Sequence, residues 1–232
     1  MELIWDVTTR AIGLLLRANP EVLEIALLTL EVSGLATLIA LAFGVPFGAL
    51  LAFRVFPGRR FTVSLINTGM GVPPVVVGLF VSIMLWRSGP LGFMELLYTP
   101  GAIVLAQFII AFPVVTGLTM AAMQQIDPKL LLQLKSLGAS RHQLMSVLLW
   151  EARLPMLAAV IAGFGAVISE VGAVMMVGGN ISGHTRVLTT ATVLETRRGN
   201  FEVAIALALI LLGLTFLITW LLTLFQQRSP AR

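Results

Sequence analysis

Glu170 is the one ionisable residue deep inside an apolar run of this 232-residue chain, within Ser169-Glu170-Val171-Gly172-Ala173. A charge at the centre of a membrane helix costs about 2.5–3.5 kcal/mol on insertion scales, which makes such a residue a functional candidate by default. Three roles are open to it: a substrate contact, a gate partner, or an acceptor for backbone N–H groups. A bare carboxylate repels an anionic cargo. For such a cargo the gate or structural role is favoured, with the carboxyl protonated or paired to an arginine of the outer loop.

A site for an oxyanion calls instead for hydroxyls, amides and backbone N–H groups. Asn67, Thr68, Ser169, Thr189 and Thr190 offer these. Each can equally be a packing residue, because Ser and Thr hydrogen-bond across membrane helices. Gly172 follows two residues after Glu170. A second unusual stretch is Asn67-Thr68-Gly69-Met70-Gly71-Val72-Pro73-Pro74. Pro73 and Pro74 remove backbone donors in the middle of an apolar run, and Gly69 and Gly71 weaken the helix beside them. Broken backbone at that depth is tolerated only where protein or a water-lined cavity receives it. A packing kink and a place on a transport pathway are the two readings.

Other chemistries find little support. There is no cysteine, hence no disulfide framework, thiolate metal site or cysteine nucleophile. His142 and His184 are the only histidines, and no His, Asp and Glu cluster has metal-ligand spacing. No P-loop is present, so ATP hydrolysis by this chain in the usual way is not expected. A membrane-embedded enzyme is therefore the weakest reading. The net charge of +4 is spread out and lacks interleaved aromatics, which suggests anionic lipid contact and no nucleic acid.

The elements that must position these residues are membrane spans. The chain is 58% hydrophobic and 11% charged, against about 25% charged in soluble domains. About 20 apolar residues cross a bilayer as a helix. The pattern predicts an all-α integral membrane protein with five spans, at about residues 22–53, 61–86, 101–123, 154–178 and 201–225. Residues 1–20 carry Asp6, Arg10 and Arg17 among apolar positions. They read as an interfacial amphipathic helix ending near Asn19-Pro20. Glu2 and Asp6, with no small-residue cleavage site after them, argue against a secretory signal peptide. Residues 88–100 read as a tight loop, and Val187 to Leu194 as a short helix within the polar connection 179–200.

Residues 127–153 are far more polar than the runs on either side. Leu130, Leu131, Leu134, Leu137 and Leu144 recur at helical spacing. Gly138 breaks the pattern and Ser140 is a good N-cap, so two short helices with a small-residue corner are predicted. A protruding helix of this kind fits a groove in a partner protein. A solvated inter-span loop is the bland alternative. With this loop cytoplasmic, nine basic residues fall inside (Arg54, Arg59, Arg60, Lys129, Lys135, Arg141, Arg153, Arg228, Arg232) and six outside (Arg10, Arg17, Arg87, Arg186, Arg197, Arg198). The bias agrees with the positive-inside rule, and it puts the N-terminus outside and the C-terminus in the cytoplasm.

Leu137-Gly138-Ala139-Ser140-Arg141-His142-Gln143 resembles the Gly-centred cytoplasmic loop of ABC importer permeases. The acidic-Ala-Ala triplet of that loop is Leu132-Gln133-Leu134 here, and its Leu-Pro comes later, at Leu154-Pro155. Thr68 to Leu79, Arg87 to Gly92 and Leu97-Tyr98-Thr99-Pro100 look like tungstate importer permeases. Ser169 to Ala173 and Gly178-Gly179-Asn180-Ile181 are similar to both tungstate and molybdate permeases.

The resemblance implies the type I ABC importer permease fold. It also implies a homodimer, two copies of a cytoplasmic ATPase carrying ATP and magnesium, an extracytoplasmic binding protein, and a prokaryotic inner membrane. The cargo it implies is an oxyanion, tungstate first, with molybdate, sulfate or phosphate as alternatives. Lys135, Leu137, Gly138, Ala139, Ser140, Arg141 and His142 would then contact the ATPase. Asn67, Thr68, Gly69, Pro73, Pro74, Ser169, Glu170, Gly172, Thr189 and Thr190 are the candidates for pathway or gate. From another class, a self-sufficient channel or secondary carrier stays open.

Overall fold

The computed structural model describes residues 20–227, apart from the side chain of Arg141. The helix expected over residues 1–20 therefore lies outside the described residues except for Pro20, and so do Arg228 and Arg232. The described residues form ten α-helices and one short 3-10 turn, with no strand. In chain order they are α1 (Pro20–Phe53), α2 (Arg59–Met70), α3 (Pro74–Leu85), α4 (Pro100–Gln124) and α5 (Pro128–Ser136). α6 (Arg141–Glu151), α7 (Arg153–Ile168), α8 (Gly172–Gly178), α9 (Leu188–Arg197) and α10 (Phe201–Gln227) complete the set.

Among the described residues three helices are long and apolar enough to cross a membrane: α1, α4 and α10. Two bent pairs bring the number to five if each is one span. α2 and α3 meet at 104°, and α6 and α7 at 70°. The first break follows from the sequence. Pro73 and Pro74 carry no N–H, so α2 ends at Gly71 and α3 restarts with Pro74 at its first position, where a missing donor costs nothing. The stretch 154–178, read as one span, is two helices, because Ser169, Glu170 and Val171 interrupt it between α7 and α8.

The centre of the fold is α1 packed on α4. Small residues let the backbones approach, as membrane helices require when lipid is as apolar as the core. A Cβ on Gly48 would lie 2.6 Å from the carbonyl oxygen of Thr116, and one on Gly44 would lie 3.0 Å from Val115. α7 joins the same core, with Ala40, Ala111, Val115 and Val167 buried together. On the other half of α4, Ile103 and Ala106 pack with Val77 and Val81 of α3 and Val174 and Val177 of α8. α10 turns Leu212, Phe216, Trp220 and Phe225 outward, a surface suited to lipid. Glu195 of α9 accepts from Asn200 and Arg198 at the turn into α10. The Asn200 hydrogen bond, ahead of Arg198, holds its carboxyl below the usual glutamate value against a smaller opposing effect of burial.

Candidate functional site

The breaks at residues 71–73 and 169–171 lie side by side. A Cβ on Gly172, at the start of α8, would meet Val75 Cγ2, at the start of α3. One turn on, a Cβ on Gly78 would lie 2.6 Å from the Cα of Ala173. The half-helices α3 and α8 are thus in backbone contact, which only glycine at position 78 permits. Beside them is a cavity of about 310 Å³, at the low end of the roughly 300–1,000 Å³ range of ligand pockets. Gly69 to Pro74 of the first break line it, with Val77 of α3, Ile110 and Val114 of α4, and Ala166 of α7. Gly69, Pro73 and Pro74 are thereby at the cavity.

Glu170 does the work of an N-cap. Its Oε1 accepts from the N–H of Ala173 at 2.9 Å, which satisfies a donor at the start of α8. The residue is 9% exposed. Among the described residues no arginine pairs with it. Of the three roles open to Glu170, this contact is that of a backbone acceptor. Thr189 Oγ1 donates to the carbonyl of Glu170 at 2.9 Å, so α9 holds the break from outside. Thr190 is fully buried, and its Oγ1 accepts from Val187 N–H at the start of α9. Ser169 is exposed and donates back to the Gly165 carbonyl at 2.7 Å. Asn67 and Thr68 sit on the exposed side of α2, with no side-chain hydrogen bond within the described residues.

Three residues at this site lacked a signal in the sequence. Gln107 of α4 is 2% exposed, and its Nε2 donates to the Val167 carbonyl at 2.9 Å, at the end of α7. Thr29 Oγ1 of α1 accepts from Leu188 N–H at 2.9 Å and so caps α9. Ser33 of α1 meets Gln107 Nε2 at 3.3 Å. Their partners are 60 to 159 residues away in the chain. Periodicity carries no trace of pairs at that separation.

The corner between α5 and α6 is built from local rules. Asp127 accepts from Lys129 N–H and starts α5. Gly138 adopts φ +75°, and the N–H groups of Gly138 and Ala139 bond back to the carbonyls of Lys135 and Leu134. That pair of bonds is the Schellman ending, in which glycine supplies the left-handed residue. Ser140 and Gln143 then form a reciprocal capping box. Leu137 is 83% exposed, and Lys135, Ser140 and His142 are also exposed. The segment presents a capped, exposed corner with an apolar side chain, Leu137, at the turn.

No group of three or more His, Asp or Glu among the described residues is placed to hold a metal ion.

Comparison with known proteins gives the context for this geometry. The chain is 41% identical over 214 residues to a probable anion ABC transporter permease protein of Haloferax volcanii, covering 90% of this chain and 92% of that one. It is 40% identical over 227 residues to the tungstate uptake system permease protein TupB of Peptoclostridium acidaminophilum, covering 98% and 100%. It is 30% identical over 222 residues to the molybdenum transport system permease protein ModB of Escherichia coli K12, covering 89% and 96%. The solved inward-facing MetNI methionine ABC transporter has a chain of the same fold, with a TM-score of 0.72 at 19% identity, covering 88% of this chain and 94% of that one. Residues 44–229 match the binding-protein-dependent transport system inner membrane component family. The chain, a permease subunit of an ABC importer, belongs to that family.

Proposed function

We propose that this permease translocates an oxyanion, tungstate first and molybdate or sulfate as the related alternatives, through a path that includes the cavity beside the Gly69–Pro74 break. The observation that carries the reading is that break. It opens about 310 Å³ between the helices, in a chain 40% identical end to end to a tungstate uptake permease. The lining suits passage better than retention. It is apolar apart from backbone, with Met70, Val72, Val77, Ile110, Val114 and Ala166 around it. A helix N-terminus attracts anions through its free N–H groups. At the start of α3 two prolines have no N–H, and Val76 and Val77 both bond to the Pro73 carbonyl. That leaves Val75 as the donor of the first turn. An anion is met there by few donors and leaves readily.

In this reading the chain has five spans in a prokaryotic inner membrane, with its N-terminus outside and its C-terminus in the cytoplasm. It works as a homodimer. Two copies of a cytoplasmic ATPase, which bind ATP and magnesium and hydrolyse the nucleotide, grip residues 135–142. An extracytoplasmic binding protein delivers the anion. Leu137 at the α5–α6 corner enters a groove of the ATPase, and the Schellman turn sets the shape of the corner. Glu170 and Thr189 act through the shape of the second break. Asn67 and Thr68, in the last turn of α2 before the first break, would meet the anion as exposed polar groups.

Reconstitution tests the machine. Liposomes with the permease, its ATPase and the binding protein take up tungstate only with ATP. Tungstate flux through the purified permease alone, without ATP, would contradict the proposal and favour a channel or secondary carrier.

A further inference from the structure

The side chain of Gln107 is satisfied in an unexpected way. The Val167 carbonyl already accepts from the N–H of Glu170 at 3.2 Å. Gln107 Nε2 adds a second donor to an oxygen that has a backbone partner without it. Gln107 Oε1, in contrast, is buried without a partner among the described residues. The bond is therefore not needed to satisfy the end of α7, and the amide carries an unpaired acceptor that an apolar side chain would avoid. What the bond does is fix position. Gln107 sits on α4, which is packed against α1, and Ser33 of α1 holds the same Nε2. Val167 is next to Ala166, which forms the cavity wall, and Ile110, one turn along α4 from Gln107, forms the facing wall.

We propose that Gln107 is a positioning residue for transport, tying the Ala166 wall of the cavity to the α1–α4 core and setting how far that wall moves between the two faces of the transport cycle. The inference rests on the cavity being on the path. It does not depend on which anion passes.

The chain contains no cysteine, so a single reporter thiol is clean. Ala166→Cys is introduced into the assembled complex with its ATPase and binding protein. Its rate of labelling by a water-soluble maleimide is measured without nucleotide and with ATP held unhydrolysed. Gln107→Met is isosteric and has no donor. Gln107→His is a worse fit in shape but keeps an N–H donor. Gln107→Leu, also without the donor, replaces the Met variant should that one fail to reach the membrane.

The expected result is a difference between the two states at wild-type Gln107. The donor-less variant abolishes it, and labelling of the nucleotide-free state changes on the order of fivefold, the equilibrium factor of one net hydrogen bond. The His variant restores the difference. A packing role predicts the reverse order, with Met near wild type and His impaired, and that order overturns the proposal. So does state-independent labelling at wild-type Gln107. Labelling in the expected order from a complex that takes up neither tungstate nor molybdate supports the role of Gln107 while removing the cargo assignment.

Discussion

Glu170 and Ala173 are joined by a hydrogen bond of 2.9 Å that starts a helix inside an apolar stretch. A carboxylate is costly there, and this contact returns part of the cost by capping α8. Replacing Glu170 by Gln keeps an acceptor oxygen of nearly the same reach. We expect Glu170→Gln to keep most of the stability and transport. Glu170→Ala loses the cap, about 0.5–2 kcal/mol, and lowers the midpoint of thermal unfolding. Tryptophan fluorescence of the purified protein reads that midpoint. A Gln variant as impaired as the Ala variant would mean that the charge itself is required.

Gly138 has nothing within 4 Å of where a Cβ would stand, yet its φ is +75°. A β-branched residue there meets no clash but strains the turn by about 1–2 kcal/mol. Gly138→Val should leave the chain in the membrane and lower both ATPase copurification and ATP-driven uptake. Gly138→Asn, which tolerates the left-handed region, should be milder. Normal transport by the Val variant would remove the α5–α6 corner from coupling.

Gly78 tests the contact between the half-helices. A Cβ there would stand 2.6 Å from Ala173 Cα, so Gly78→Val must push α3 away from α8. Overpacking of this kind typically costs about 1–3 kcal/mol. Gly165 and Gly213 have nothing within 4 Å, and alanine at either should be neutral or slightly stabilising. Thermal unfolding of the three variants gives the comparison. Equal effects at positions 78 and 213 would contradict the close approach.

Val114 lines the cavity from α4. Val114→Trp adds volume where there is open space, so the protein should accumulate normally in the membrane while uptake falls. Immunoblotting of membranes and uptake on the same cells separate the two. Undiminished uptake would place the path elsewhere.

Legibility in the sequence followed the range of the interactions. The corner at Gly138 and Ser140 was readable because glycine in the left-handed region and a serine cap are local chemistry. The break at Pro73-Pro74 was readable for the same reason, since a missing N–H needs no partner to exert its effect. Val187 to Leu194 was expected to be a short helix, and Leu188–Arg197 is one. The interruption at Ser169–Val171 was not readable. It contains no proline, and it is held by Gln107 and Thr189, 60 and 19 residues from their partners. The sequence marks Glu170 by its charge alone. Its partner could be found only once the break was known.

The most direct test of the account is elemental. Cells with and without this gene are fed tungstate and molybdate together at low nanomolar levels, and tungsten and molybdenum are measured by mass spectrometry. In cells with no other importer for either anion, loss of tungsten is the predicted result, with molybdenum falling as well only if the path is shared. Unchanged tungsten and molybdenum in such cells would contradict the oxyanion assignment.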